Sequence, residues 1–224
     1  MLYSLDAARD NVRNREGKRV FYLGKGDQLT SDARDWLARE RIEVLPAAMA
    51  KPERYRLLSG GFIEEKPERM THLFSDVLVE KTHPRIVLRG MMDALEAELL
   101  LCMAEAPKWE KELGEILDLA RKILQKEVLG QPLEDAPLCG LSMEELRSHS
   151  HRPQEFYGQP HFMPCVGDGA VVLRLNKVRA VARRAELSAV AAVPDREDIL
   201  RAMNRISSAL YILMIREKAK GPLV

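Results

Sequence analysis

Leu175-Asn-Lys-Val-Arg-Ala-Val-Ala-Arg-Arg-Ala-Glu-Leu187 decides how the rest of the chain is read. Leu175, Val178, Ala182, Ala185 and, just beyond, Ala189 recur at helical spacing and form one apolar stripe. At about 100° per residue, Arg179, Arg183 and Glu186 fall together on the flank of that stripe, and Arg184 points nearly opposite. The alanines admit a close neighbouring helix, so the charged heads sit at the lip of a packed seam. Pattern alone allows a solvated helix face with ion pairs one turn apart. It also allows a receptor for polyphosphate, because two guanidiniums offer rigid forks of donors.

Outward from that stretch the chain keeps a helical character. The first long segment opens at Pro84 and closes before Pro107, with Ile86, Leu88, Met91, Leu95, Leu99, Leu100, Leu101 and Met103 on nearly every side. Such a helix is wrapped by neighbours, in a bundle core or a subunit interface. Asp93 lies on one of its apolar faces and is expected to meet a cation. Trp109, Leu113, Leu117, Ala120, Leu124 and Val128 mark a second amphipathic helix stopped by Gly130 and Pro132. Ser142-Met-Glu-Glu145 is a capping box. Residues 150–169 read as a loop, and Ile199 to Lys218 as the last helix. The fold class is therefore all-α: a bundle of about five helices.

Ahead of the bundle, residues 1–18 read as polar and loosely ordered. A strand Val20–Leu23, a helix from Ser31 to Arg41 capped by Thr30, and a strand Ile42–Leu45 make a small α/β appendage over 1–55. Residues 56–70 are expected to be linker or loop, and 71–224 the helical domain. Gly24-Lys-Gly-Asp27 reads either as a phosphate cradle or as a polar turn after a strand.

Composition bounds the function. Lys+Arg 35 against Asp+Glu 34 leaves +1, so no global field recruits nucleic acid or a membrane surface. No apolar run reaches the length of a membrane span, and the N-terminus has no apolar signal region; a soluble, cytoplasmic protein is expected. Cys102, Cys139 and Cys165 are too dispersed for a metal clip, and the five histidines match no metal template; no metal site is expected.

The ordered motifs carry a family resemblance. Arg179-Ala-Val-Ala-Arg-Arg-Ala-Glu186 resembles the R-x-V-C-R-R-A-E-R signature of ATP:cob(I)alamin adenosyltransferases of the propanediol-utilisation type. Thr71-His-Leu-Phe74 and Lys81-Thr-His-Pro-Arg-Ile-Val-Leu-Arg-Gly-Met-Met-Asp93 resemble the family's T-x-L-F and K-D-D-P-R-x-x-A-x-G-x-x-D-E-L. Met203-Asn-Arg-Ile-Ser-Ser208 resembles its L-N-R-L-S-D, with Ser208 where the family has Asp. His151-Arg-Pro153, Phe156-Tyr-Gly158 and His161-Phe-Met-Pro164 are most similar to the ethanolamine-utilisation branch. The resemblance spans roughly residues 68 to 218.

This resemblance implies transfer of the adenosyl group of ATP to cob(I)alamin in support of ethanolamine catabolism, with ATP, cobalamin and Mg²⁺ as the small molecules involved. It assigns ATP contacts to Thr71, His72, Lys81, Arg183, Arg184, Glu186 and Asn204, and catalytic positions to Phe162, Arg179 and Asp93, the last two as a pair. It implies a homo-oligomer, trimer or dimer, with sites between subunits. A reductase or a cobalamin-dependent lyase would be its partner, with placement at a bacterial microcompartment. Two departures stand out: the Gly-rich phosphate loop before Thr71 is replaced by Leu58-Ser-Gly-Gly-Phe-Ile-Glu-Glu-Lys66, and the branch's metal-binding cysteine cluster there is missing. Phe162 stands near the place of the F-x-L-P phenylalanine beneath the corrin, one residue further from Arg179, and reads equally as a core aromatic. A catalytically silent cobalamin-binding or assembly module is the alternative reading.

Overall fold

The computed structural model describes residues 1–15, 17–49 and 55–219. In chain order the elements are β1 (Leu2–Tyr3), α1 (Leu5–Asp10), β2 (Val12–Arg15), β3 (Lys18–Leu23), β4 (Gln28–Leu29), α2 (Ser31–Arg39), β5 (Glu43–Pro46), β6 (Tyr55–Leu57), β7 (Phe62–Ile63), β8 (Met70–Phe74), β9 (Val77–Glu80), α3 (Pro84–Glu105), α4 (Glu110–Leu129), α5 (Met143–His151), α6 (Pro153–Tyr157), α7 (Ala170–Ala192) and α8 (Glu197–Ala219). They divide into two compact units, Met1–Tyr55 with Phe62–Glu65, and Arg56–Gly61 with the chain from Lys66 onward.

In the first unit β3 is central, antiparallel to β2 and parallel to β5. Thr30 caps α2 by accepting from the Ala33 amide, and Ala8, Phe21, Ala33, Trp36, Leu37 and Ile42 form the core. The expectation of loose order over residues 1–18 is corrected. Ser4 caps α1, and Tyr3 meets Phe21 edge-on at 5.2 Å, so apolar residues scattered among polar ones are enough to anchor the segment.

In the second unit the core is built from α3, α4, α5, α7 and α8 around Leu95, Leu99, Ile116, Leu146, Leu175, Ala182, Ile206 and Leu210. Pro84 opens α3, with the His83 ring accepting from the Arg85 amide. Gly130 ends α4 at φ 63°, a left-handed conformation that favours glycine. Ser142 and Glu145 form the expected capping box of α5. Every member of the stripe read from sequence on α7 is buried, from Leu175 to Ala189. Two loop expectations are corrected. Residues 56–70 include the end of β6, which pairs parallel with β9, because the Gly60–Gly61 turn lets Leu57 bond to Gly61. Within 150–169 lies the short helix α6, closed by Gly158 at φ 67°. Residues 50–54 of the expected appendage lie outside the described residues.

Candidate functional site

The residues singled out in the sequence fall into separate groups. Thr71 and His72 sit on β8, antiparallel to β9 with Thr71 opposite Val79. Thr71 is half-buried, whereas His72 is exposed with its Nδ1 2.9 Å from the Ser75 carbonyl. Lys81 closes the hairpin by donating its amide to the Arg69 carbonyl at 2.8 Å, and its side chain is exposed. Arg89 of α3 donates to the Leu73 carbonyl at 2.8 Å and so fastens the hairpin to the bundle.

The second group lies where α7 meets α8. Arg179 is half-buried, donates to Asn176 Oδ1 at 3.3 Å, and spreads over the Tyr211 ring at 5.3 Å. Burial pulls its guanidinium pKa down, and the Arg183 charge adds to that. One turn further along, Arg183 is exposed. Glu186 accepts from Asn204 Nδ2 at 2.8 Å, and Arg205 Nη1 donates to Asn204 Oδ1 at 2.6 Å. Asn204 thus ties the α7 carboxylate to an arginine of α8. Arg184 is exposed.

Phe162 packs at the edge of the core, half-buried, with its ring 6.1 Å from that of Tyr211 and Lys218 Nζ 4.5 Å above it. Tyr211 also lies 3.0 Å from His161 Nδ1 and accepts from the Phe162 amide at 3.5 Å. The loop before α7 and Arg179 therefore share one aromatic anchor, Tyr211. Helical spacing marks Tyr211 only as a neighbour of Asn204 on the last helix, and gives no sign of this role.

Asp93 is not buried within the chain. It is exposed on α3, and Arg179 finds Asn176 and Tyr211 instead. Helical periodicity puts Asp93 on an apolar face, but in one chain that face carries uncovered Leu100 at 49% and Leu101 at 52% exposure. The other face of α3, with Leu88, Met92, Leu95 and Leu99, holds the core.

Sequence reasoning missed a cleft of about 680 Å³ between α5 and α8, lined by Glu144, Arg147, His151, Arg152, Arg201 and Arg205. An adjoining hollow of about 470 Å³ shares most of these and reaches Asn204. Arg205 is 8% exposed and donates Nε to the Met143 carbonyl at 2.8 Å. A signal was present: Arg147 and His151, and Arg201 and Arg205, each stand one helical turn apart.

Gly24-Lys-Gly-Asp27 forms a self-occupied turn. Asp27 accepts from the Gly24 amide at 3.2 Å and from the Met1 amino group at 2.6 Å, so one donor of the supposed cradle, the Gly24 amide, already holds a carboxylate. That hydrogen bond to the terminal ammonium is the first cause of the lowered Asp27 pKa.

A helical bundle with an α7 face of two arginines and a carboxylate, joined through Asn204 to α8, defines the class. The model of the cobalamin adenosyltransferase family matches residues 62–217, and the chain belongs to that family. It is 32% identical to the corrinoid adenosyltransferase EutT of Salmonella typhimurium over 224 residues, covering 97% of this chain and 83% of the relative. Against EutT of Escherichia coli K12 it is 32% identical over 168 residues, 72% of this chain, and the match spans only 63% of that relative. Against PduO of Citrobacter freundii it is 30% identical over 151 residues, 64% of this chain and 45% of the relative. Among solved structures, a variant PduO-type ATP:corrinoid adenosyltransferase from Lactobacillus reuteri, complexed with cobalamin and ATP, superposes with a TM-score of 0.53 at 16% identity. That likeness covers 68% of this chain and 91% of the other and concerns the fold.

Proposed function

We propose that this protein transfers the 5′-adenosyl group of ATP to the cobalt of cob(I)alamin, giving adenosylcobalamin and triphosphate. The observation that carries the reading is the α7–α8 face, with Arg179, Arg183 and Glu186 on one flank and Asn204 bonded to Glu186. In this reaction the electron pair of Co(I) attacks C5′, the Co–C bond forms, and the C5′–O bond breaks with its pair leaving on triphosphate. The corrinoid is its own nucleophile, so no side chain has to attack. The protein must align C5′ with cobalt and neutralise the departing charge.

Arg183 is suited to neutralising that charge, since it is exposed on the flank and meets no carboxylate among the described ion pairs. Glu186, held by Asn204, orients that amide instead of facing phosphate alone. With Mg²⁺ bound beside the phosphate oxygens, Glu186 would be one of its ligands. Thr71, His72 and Lys81, on the hairpin, supply further donors, and Arg184 stays at the rim.

The reading assembles the site between copies of the chain, as a trimer or dimer. Asp93 of one copy then meets Arg179 of the next, which accounts for a carboxylate on the same face as uncovered Leu100 and Leu101. Phe162 lies beneath the corrin, a reductase or cobalamin-dependent lyase exchanges ligands with the protein, and the setting is ethanolamine catabolism at a cytoplasmic microcompartment. A silent corrinoid-binding module is the second reading, favoured by the self-occupied Gly24–Asp27 turn.

Anaerobic incubation with ATP and chemically reduced cobalamin separates the two. Growth of the adenosylcobalamin visible spectrum supports transfer. Tight corrinoid binding with no cobalt–carbon product supports the silent module.

A further inference from the structure

The hollow adjoining the cleft between α5 and α8 reaches Asn204 of the α7–α8 face, and the cleft gathers arginines from both of its helices. Arg147 and Arg201 face a cavity whose wall holds the buried Arg205. Burial is the first cause that lowers the Arg205 guanidinium pKa, and the charge of Arg147 is the next. Arg205 spends two of its donors on oxygens of Met143 and Asn204, neither of them charged. Arg201 meets Asp135 at 3.0 Å, an ion pair about half exposed, and Arg152 meets Glu155 at 3.0 Å. Arg147 meets no carboxylate among the described ion pairs, and Glu144 is the one acidic residue on the cleft wall.

Guanidiniums from two helices turned toward one cavity repel one another, weakly where they are exposed as Arg147 and Arg201 are, and an anion between them relieves that repulsion. A space of about 680 Å³ is of ligand size. Forks approaching from different directions suit a group with oxygens on several sides, and phosphate is such a group whereas a planar carboxylate is not.

We propose that Arg147, Arg201 and Arg205, with His151, form a phosphate-binding subsite beside the adenosyl-transfer site. The phosphate belongs to one of the reaction's own ligands: the triphosphate chain of ATP and of the product, or the phosphodiester in the nucleotide loop of cobalamin. The choice of ligands rests on the adenosyl-transfer reading; the subsite itself rests on the cleft.

The test uses the double variant Arg147→Gln/Arg201→Gln of the full chain, leaving Arg205 because its buried bonds fasten α8 to α5. Inorganic triphosphate is titrated into wild type and variant by calorimetry. KM is then measured for cobalamin and for cobinamide, which lacks the phosphodiester. If the cleft takes triphosphate, its affinity falls by about tenfold or more and the ratio of the two KM values stays put. If it takes the phosphodiester, triphosphate binding is unchanged while KM for cobalamin rises by about fivefold or more and that for cobinamide does not. A folded double variant with both quantities within about twofold of wild type overturns the subsite. Failure of the two readings is separable. Arg183→Ala losing ATP while the double variant loses nothing removes the subsite alone. Triphosphate binding that depends on Arg147 and Arg201 in a protein that never forms adenosylcobalamin supports the subsite and removes the transfer reading.

Discussion

Two places in the helical unit gather arginines, and they are wired in opposite ways. At the start of α3, Arg85 and Arg89 converge on Glu127, a carboxylate with no exposed side-chain surface. Arg85 also donates to the Glu127 carbonyl at 3.0 Å, and Arg89 reaches the hairpin at Leu73. A buried carboxylate from α4 answers both arginines there, and the cluster joins α3, α4 and the β8–β9 hairpin. In the α5–α8 cleft Arg205 has neutral oxygens and Arg201 an exposed pair for company, and on α7 Arg179 has an aromatic ring. One cluster joins elements of the fold, and the other is the one proposed to leave positive charge for a ligand. Arginine spacing is similar in both, so the difference lies in whether a buried counter-charge arrives from another helix.

The largest effect expected is on the closed cluster. Glu127→Gln leaves two partly buried guanidiniums without their anion and should cost about 3–5 kcal/mol in chemical denaturation. A loss under about 1 kcal/mol would show that Glu127 is no clamp and erase the contrast.

On the open side, Arg183→Ala should weaken ATP binding by about 1.5–3 kcal/mol, roughly tenfold to a hundredfold, with folding intact. Arg183→Lys should restore little, because the planar fork is gone. Unchanged affinity takes Arg183 out of the site.

The pair assigned across copies can be cycled. Asp93→Ala and Arg179→Ala should each weaken self-association in sedimentation by about tenfold, and the double variant by much less than the product. Multiplicative losses would mean that the two side chains never meet. Because Asp93 is exposed in one chain, its removal should leave monomer stability nearly unchanged.

Phe162→Ala should fold and bind ATP. It should lose several-fold in rate from cob(II)alamin with a weak reductant, and recover when cobalt is supplied already reduced. Equal losses from both cobalt states assign Phe162 to packing against Tyr211. The smallest effect belongs to Lys25→Ala, whose ATP affinity should match wild type, since Asp27 already occupies the neighbouring Gly24 amide.

The sequence by itself determined the long helices and the class, but not the short α1 and α6. Pro84, Gly130 and the Ser142 box mark boundaries through local backbone chemistry, and the stripe from Leu175 to Ala189 names its buried face without knowing the partner. It also carried the family, because motif order survives where structure is not yet known. Tertiary structure decided the rest. It left Asp93 in the open, turned Arg205 inward, bonded Asn204 to Glu186, and shaped Thr71–Glu80 as a hairpin. Periodicity reports which residues share a face of a helix. Whether that face meets another helix, a ligand or a second copy depends on how elements distant in the chain pack, and only the fold contains that.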